Sequence, residues 1–326
     1  MSIIDVEALK KTYPGPVEAV RGISFSVEPG EIFALLGPNG AGKSSTVRML
    51  ATLARPTAGR AAVAGHDTVR EAAAVRREIG YVAQSSTVDE QLTGRENLRL
   101  QGRLFGLRGD ALRTRADALL DLLGLKEAAG RLARTYSGGM RRRLDLAMGL
   151  IHRPRVLFLD EPSAGLDPES RSTLWTEVTR LAREEGITVL LTTHYLEEAD
   201  RYAGRVAIID RGRIVAEGTP DDLKARLEGD AVSIRFREPS LAREGDVRLT
   251  RLAGVRGTII DDTVVHVRVP DGARAIPAIV TALDGVPIEE VTMSRPSLDE
   301  VYLSVTGRSF EEADAAGEPS NGKTRK

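Results

Sequence analysis

The chain has 326 residues, enough for one large domain and a smaller one, and its 41% apolar and 29% charged composition is that of an ordinary globular protein. A formal charge of -1 gives no general attraction to nucleic acid or to an anionic membrane surface, so no nucleic-acid partner is expected. The absence of cysteine excludes disulfides and thiolate metal sites, and fits a reducing compartment.

Met1-Ser2-Ile3-Ile4-Asp5 has neither the basic nor the apolar region of a signal peptide. The most apolar runs, Thr188 to Leu191 and Val206 to Ile209, fall far short of the ~18 residues a membrane span needs. The expectation is a chain that does not cross a membrane and reaches one only through a partner.

In chain order, Val6 to Leu9 and Ile23 to Val27 alternate apolar and polar residues, which predicts half-buried strands of an N-terminal β-layer. Glu31 to Leu36 reads as a buried strand that runs into Gly37. Ser44 to Leu53 follows with Val47, Leu50 and Leu53 at helical spacing. Leu112, Ala116, Leu119, Leu120 and Leu123 form one helical stripe, and Leu144, Ala147, Met148 and Ile151 form another. Strands are predicted at Val156 to Leu159, Thr188 to Leu191 and Arg205 to Ile209, with helical segments between them. That alternation indicates a mostly parallel sheet in an α/β core. Beyond about Gly229, strands at 231–236 and 263–269 and helices at 274–283 and near 298–305 suggest a small α+β appendage. Residues 309–326 have little to pack and are expected to be disordered.

Between the first buried strand and its helix stands Gly37-Pro38-Asn39-Gly40-Ala41-Gly42-Lys43-Ser44, a full match to the P-loop pattern G-x-x-x-x-G-K-[ST]. The glycines let successive backbone N–H groups approach phosphate oxygens, and the helix start adds its dipole. Lys43 supplies a cation for the β- and γ-phosphates, and the Ser44 hydroxyl suits Mg²⁺. Val156 to Leu159 then deliver Asp160 and Glu161, a carboxylate for the metal and a second to polarise the attacking water. Tyr136-Ser137-Gly138-Gly139-Met140 opens a helix, with Ser137 a good N-cap and two glycines that leave N–H groups open to an anion. No Asn-Lys-x-Asp sequence occurs, which argues against a dedicated GTPase.

With these motifs in this order, residues 3 to 225 strongly resemble the nucleotide-binding subunits of ATP-binding-cassette (ABC) transporters. The resemblance implies a P-loop NTPase fold: a RecA-like α/β core, an antiparallel β-subdomain and a helical signature subdomain, here about 89–153. It also implies a cassette over 1–228, followed by the C-terminal α+β domain at 229–308. It makes Tyr13, otherwise a turn aromatic before Pro14, an adenine-stacking residue, and adds Ser45 to the phosphate site. Gln84, otherwise a polar residue at a strand end, becomes a Q-loop residue that touches Mg²⁺ or water. His194, by itself a capping or packing histidine, becomes a switch residue at the γ-phosphate. Asp167, a helix N-terminal carboxylate in either case, falls in the D-loop. The Arg141-Arg142-Arg143 run reads as a solvated or interface face.

Three segments, 88–98, 136–146 and 296–307, narrow the likeness to daunorubicin-resistance-type exporter subunits. What this implies is ATP as substrate, Mg²⁺ as cofactor, a homodimer with composite sites, and a separate ABC-2 exporter-type permease. The chain would lie peripherally at the cytoplasmic membrane face, with 89–104 where a coupling helix docks. The alternatives are a soluble ABC ATPase acting on ribosomes or DNA, and an ATPase regulated by a ligand of its C-terminal domain.

Overall fold

A computed structural model describes residues 2–15, 17–227, 229–294 and 296–317. Packing divides the chain into a first unit up to Ile214 and a second from Val215.

The first unit begins with β1 (Ile4–Tyr13), β2 (Val17–Val27), β3 (Ile32–Leu36), α1 (Lys43–Leu50), β4 (Ala58–Val63), β5 (His66–Asp67), α2 (Ala72–Glu78) and β6 (Ile79–Val82). Three helices follow, α3 (Gly94–Leu104), α4 (Gly109–Leu122) and α5 (Gly138–Leu150). Then come β7 (Val156–Asp160), α6 (Pro168–Glu185), β8 (Thr188–Thr193), α7 (Leu196–Tyr202) and β9 (Arg205–Asp210). The division falls within β10 (Arg213–Gly218).

Two sheets organise this unit. The N-terminal one has the order β2-β1-β4-β5 and is antiparallel, as the alternation in its strands demands. The second runs β10-β9-β3-β8-β7-β6, and β9, β3, β8, β7 and β6 run parallel to one another. Every residue of β3, β7 and β8 is buried, which is why these strands read as continuous apolar runs rather than alternating ones. Their carboxyl ends lie side by side, Leu36 against Thr193 and Asp160 against Thr192. In open parallel sheets that edge is where ligands bind.

The helical stripe of α4 is buried as expected, from Leu112 through Leu123. Helix α1 is shorter than its pattern predicts. It ends at Leu50, Thr52 turns the chain with φ near +62°, and Leu53 points to solvent.

The second unit contains α8 (Pro220–Ala225), β11 (Asp230–Phe236), α9 (Pro239–Leu249), β12 (Gly257–Asp261), β13 (Val264–Val269), α10 (Gly272–Ala282), β14 (Ile288–Ser294), α11 (Leu298–Thr306) and α12 (Phe310–Gly317). The order β12-β13-β11-β14, all antiparallel, with α9 and α10 as crossovers, is the βαββαβ arrangement of ferredoxin-like folds. Val232, Ile234 and Phe236 of β11 and Val265, Val267 and Val269 of β13 face the core they share with Ala242, Leu249 and Ile279. Helix α8 packs on α11 within this unit.

The expectation of disorder from 309 is corrected over 310–317, where α12 forms; residues 318–326 lie outside the described residues. A buried aromatic side chain anchors this helix. Phe310 is buried and meets Tyr302 of α11 edge-on, with ring centroids 5.0 Å apart, a favoured aromatic geometry. Phe310→Ala should therefore destabilise the second unit by about 3 kcal/mol. Urea unfolding of the full chain, followed by circular dichroism, checks this; an unchanged midpoint would mean that α12 adds nothing.

Candidate functional site

The P-loop leaves β3 and turns into α1 through backbone that only glycine tolerates. Gly42 has φ near +107°, and a Cβ there would lie 2.3 Å from the Ala19 carbonyl oxygen. A Cβ on Gly37 would come within 2.2 Å of the Ile209 carbonyl oxygen. The loop is also closed by its own lysine. Lys43 is 3% exposed, and its Nζ donates to the carbonyl oxygens of Gly37 at 2.7 Å and Pro38 at 3.2 Å. The Lys43 cation thus sits on the axis of the loop, 3.4 Å from Glu161 Oε1.

At the end of β7, Asp160 Oδ1 accepts from Ser44 Oγ and from Thr192 Oγ1, each at 2.8 Å. Asp160 Oδ2 accepts from the Tyr81 hydroxyl at 3.5 Å. Burial, then the charge of Asp160, push the Tyr81 phenol up to about 12, so it remains a donor. Glu161 follows with φ near +47°, a left-handed conformation that costs a non-glycine residue on the order of 1–3 kcal/mol. Its amide donates to Thr192 Oγ1 at 2.9 Å.

Three side chains converge on the Glu161 carboxylate. Besides Lys43, Gln84 Nε2 donates to Oε2 at 3.2 Å, and His194 Nδ1 lies 3.3 Å from the same oxygen. Burial opposes ionisation here, but the His194 contact and the Lys43 charge outweigh it and hold the carboxyl below its ordinary value. Glu161 is therefore an ionised base in a nearly dry pocket, beside the Lys43 ammonium, the Gln84 amide and the His194 ring.

The other residues anticipated from sequence lie around this centre. Tyr13, at the end of β1, reaches Ser45 of α1, hydroxyl to hydroxyl at 3.3 Å, so its ring stands beside the P-loop helix. Ser137 caps α5, its Oγ accepting from the Met140 amide at 3.2 Å. Gly139 leaves no room for a Cβ against Ser170 Oγ. Asp167 caps α6, accepting from the Ser170 amide and hydroxyl at 2.8 Å each, and these bonds lower its pKa. Gln84 was expected at the metal as well as the water; its side-chain amide donates to Glu161, while Ser44 and Asp160 pair with each other.

One expectation is overturned. Arg142, read as part of a solvated basic run, is 7% exposed and donates to the carbonyl oxygens of Ala83, Asp160, Glu161 and Pro162. Burial lowers its pKa, and Asp145 and Asp160 offset part of that. Its neighbours do lie nearer solvent: Arg141 pairs with Glu90 at 2.7 Å. The missed signal was helical phase. Positions 142, 146, 149 and 150 share one face of α5, and Leu146, Gly149 and Leu150 are all buried. Thr192 and Tyr81, which flank Asp160, stand in the segments of His194 and Gln84, but nothing in the sequence assigned them a role of their own.

Chemically, Ser44 and Asp160 offer two adjacent oxygen ligands. This donor set suits a hard cation such as Mg²⁺, which takes one or two protein oxygens and completes its shell with water and phosphate. Among the described residues there is no cluster of three His, Cys, Asp or Glu that could cage a metal without substrate.

The family model for ABC transporters matches residues 20–164, and that for the ATP-binding protein DrrA1-3-like, C-terminal domain matches residues 218–306. Among solved structures, a dimeric post-hydrolysis ATP-binding cassette bound to ADP and Pi shares 25% identity at a TM-score of 0.61, covering 66% of this chain and 98% of that one. The cbiO1 structure from Clostridium perfringens reaches a TM-score of 0.64 at 27% identity, over 77% and 96% of the two chains. The chain belongs to the ABC transporter family of ATP-binding, ATP-hydrolysing cassettes.

Within that family it falls with the exporter subunits. The daunorubicin resistance ATP-binding protein DrrA3 of Streptomyces coeruleorubidus is 47% identical over 93% of this chain and 96% of its own length. The linearmycin resistance ATP-binding protein LnrL of Bacillus subtilis is 35% identical over 94% and 99%. The protein is thus the ATPase subunit of an ABC exporter and works with a membrane permease. No helix among its described residues is long and apolar enough to cross a membrane.

The lowered Glu161 pKa has a stability consequence. Because the folded carboxyl titrates below the free value of 4.5, its ionisation stabilises the fold above that pH, and the contribution is lost as pH falls through the folded value. Wild type should therefore lose stability relative to Glu161→Gln on acidification below pH 4.5. Parallel thermal melts between neutral pH and pH 3 read the difference; one that stays flat with pH would contradict the assignment.

Proposed function

We propose that the site hydrolyses Mg²⁺-ATP with Glu161 as the residue that polarises the attacking water, and that the energy drives export of a drug or other hydrophobic small molecule. The observation that carries this is the convergence of Lys43, Gln84 and His194 on one buried, ionised carboxylate beside the Ser44–Asp160 pair. Phosphoryl transfer needs little covalent help, so positioning and charge stabilisation are the protein's main tasks.

In this reading the amides of 37–45 cradle the phosphates, and Lys43 neutralises charge at the β- and γ-positions. Tyr13 stacks on the adenine. Bound Mg²⁺, held by Ser44 and Asp160 with Gln84 alongside, supplies charge neutralisation on the phosphate oxygens. Glu161 accepts a hydrogen bond from the attacking water, and Gln84 and His194 orient that water and the γ-phosphate.

Ser137, Gly138, Gly139 and Asp167 act on a second copy of the chain. One chain holds one P-loop and one signature, so two complete sites arise from a homodimer in which each signature faces the other's P-loop. The dimeric, ADP- and Pi-bound relative supports that arrangement. The dimer sits peripherally at the cytoplasmic face of the membrane, on a permease of the ABC-2 exporter type, and residues 229–308 serve as an accessory domain. The drug class rests on relatives named for daunorubicin, doxorubicin and linearmycin resistance.

Glu161→Gln should retain ATP binding while hydrolysis slows by about 10²–10⁴-fold, and cells that express it with the permease should lose efflux of the exported drug. Turnover near wild type would reject Glu161 as the water-polarising residue. Ser137→Arg should leave ATP binding by the monomer intact and abolish ATP-driven dimerisation; light scattering that still reports ATP-dependent dimers would reject the composite site.

A further inference from the structure

Two buried side chains of α5, Arg142 and Asp145, bind the loops that carry the proposed catalytic groups. Arg142 spreads its guanidinium over four carbonyl oxygens. Nε donates to Pro162 at 2.7 Å, Nη2 to Asp160 and Glu161 at 3.2 Å each, and Nη1 to Ala83, the residue before Gln84. Asp145, one turn later and 4% exposed, accepts from the Thr87 amide at 2.9 Å and from the Thr87 hydroxyl at 3.0 Å. The segment 83–87 is therefore gripped on both sides of Gln84 from a single helix, and that helix also grips the turn at 160–162.

The arrangement serves a strained backbone. Glu161 lies in the left-handed region, which persists only where surrounding bonds over-determine it. Its amide is fixed by Thr192 and its carbonyl by Arg142. A planar guanidinium is suited to such a task, because it presents five donors in a rigid fork and keeps its charge when buried. The same helix is opened by Ser137, five residues before Arg142, a rise of about 7.5 Å along the axis.

We propose that Arg142 and Asp145 are positioning residues for hydrolysis, holding Gln84 and Glu161 in one register and tying both to the end of α5 that carries the signature. The inference rests on the site reading above, since it assumes that Glu161 and Gln84 act on water. A shift of the Ser137 end of α5 then reaches the Glu161 turn through Arg142 and the Gln84 segment through Arg142 and Asp145.

The test is steady-state ATP turnover and nucleotide binding by the full-length chain and its variants. Arg142→Gln should lower kcat by about 10–100-fold, the cost of small misplacements at a reacting centre, with KM and nucleotide affinity within about twofold. Arg142→Lys should recover part of the loss, since an ammonium can reach some of the four carbonyls. Asp145→Ala should lower kcat about tenfold and Asp145→Asn much less, because the asparagine carbonyl still accepts from Thr87. In the Glu161→Gln background, Arg142→Gln should add less than about threefold, as expected for groups that act as a unit. If Arg142→Gln does not fold, Arg142→Lys and Asp145→Ala carry the same comparison. Near-normal turnover of Glu161→Gln would reject the site reading itself. A slow Glu161→Gln together with a fast Arg142→Gln, losses that multiply in the double variant, or a loss confined to KM would overturn the positioning role alone.

Discussion

An ionised carboxylate in a nearly dry pocket is expensive, and most of this site is arranged around making one tolerable. Glu161 keeps its charge because Lys43 lies 3.4 Å away and Gln84 and His194 meet its other oxygen. Taking charges out of water costs several kcal/mol per ion unless geometry and hydrogen bonding are good. That demand reaches back into the fold. Each of the four groups comes from a different place: the start of α1, the end of β7, the residue after β8, and the segment after β6. Only a parallel sheet that brings β3, β8, β7 and β6 together can deliver them to one point.

The same geometry explains the distribution of small and polar residues near the strand ends. Gly37 and Gly42 sit where a side chain would strike backbone. Thr192 ties the Asp160 carboxylate to the Glu161 backbone by donating to the first and accepting from the second's amide. Ser44 points at Asp160, so the two oxygens that suit a hard cation are already paired. Rigid positioning of this kind is what phosphoryl transfer asks of a protein. The second unit follows a different logic. Its alternating strands bury one face under α9 and α10, and its ferredoxin-like topology owes nothing to the P-loop site.

Much of the site was legible because its chemistry is local in sequence. The P-loop is eight consecutive residues, and Asp160-Glu161 ends a strand of four apolar ones. Spacing alone therefore named Lys43, Ser44, Asp160 and Glu161. Gln84 and His194 carried little local signal, and the family resemblance picked them out. Arg142 was misread because three consecutive arginines look like a solvated face until the helical phase of α5 is counted. The tail was misjudged for a similar reason: the helix from Phe310 depends on Tyr302, eight residues upstream, and low local hydrophobicity hides a single good aromatic contact.

By itself, then, the sequence determined the classes of chemistry present: a phosphate cradle, a cation, a metal-suited hydroxyl and carboxylate, a candidate base, and a helix start built for an anion. These depend on residue type at short spacing, which the chain order preserves. Tertiary structure alone decided which groups share a charge balance. The convergence of Lys43, Gln84 and His194 on Glu161, and the grip of Arg142 on four carbonyl oxygens, join residues from 18 to 118 positions apart. Electrostatics falls off with distance in space, not along the chain, so the charge state of Glu161 became readable only once the strands were side by side.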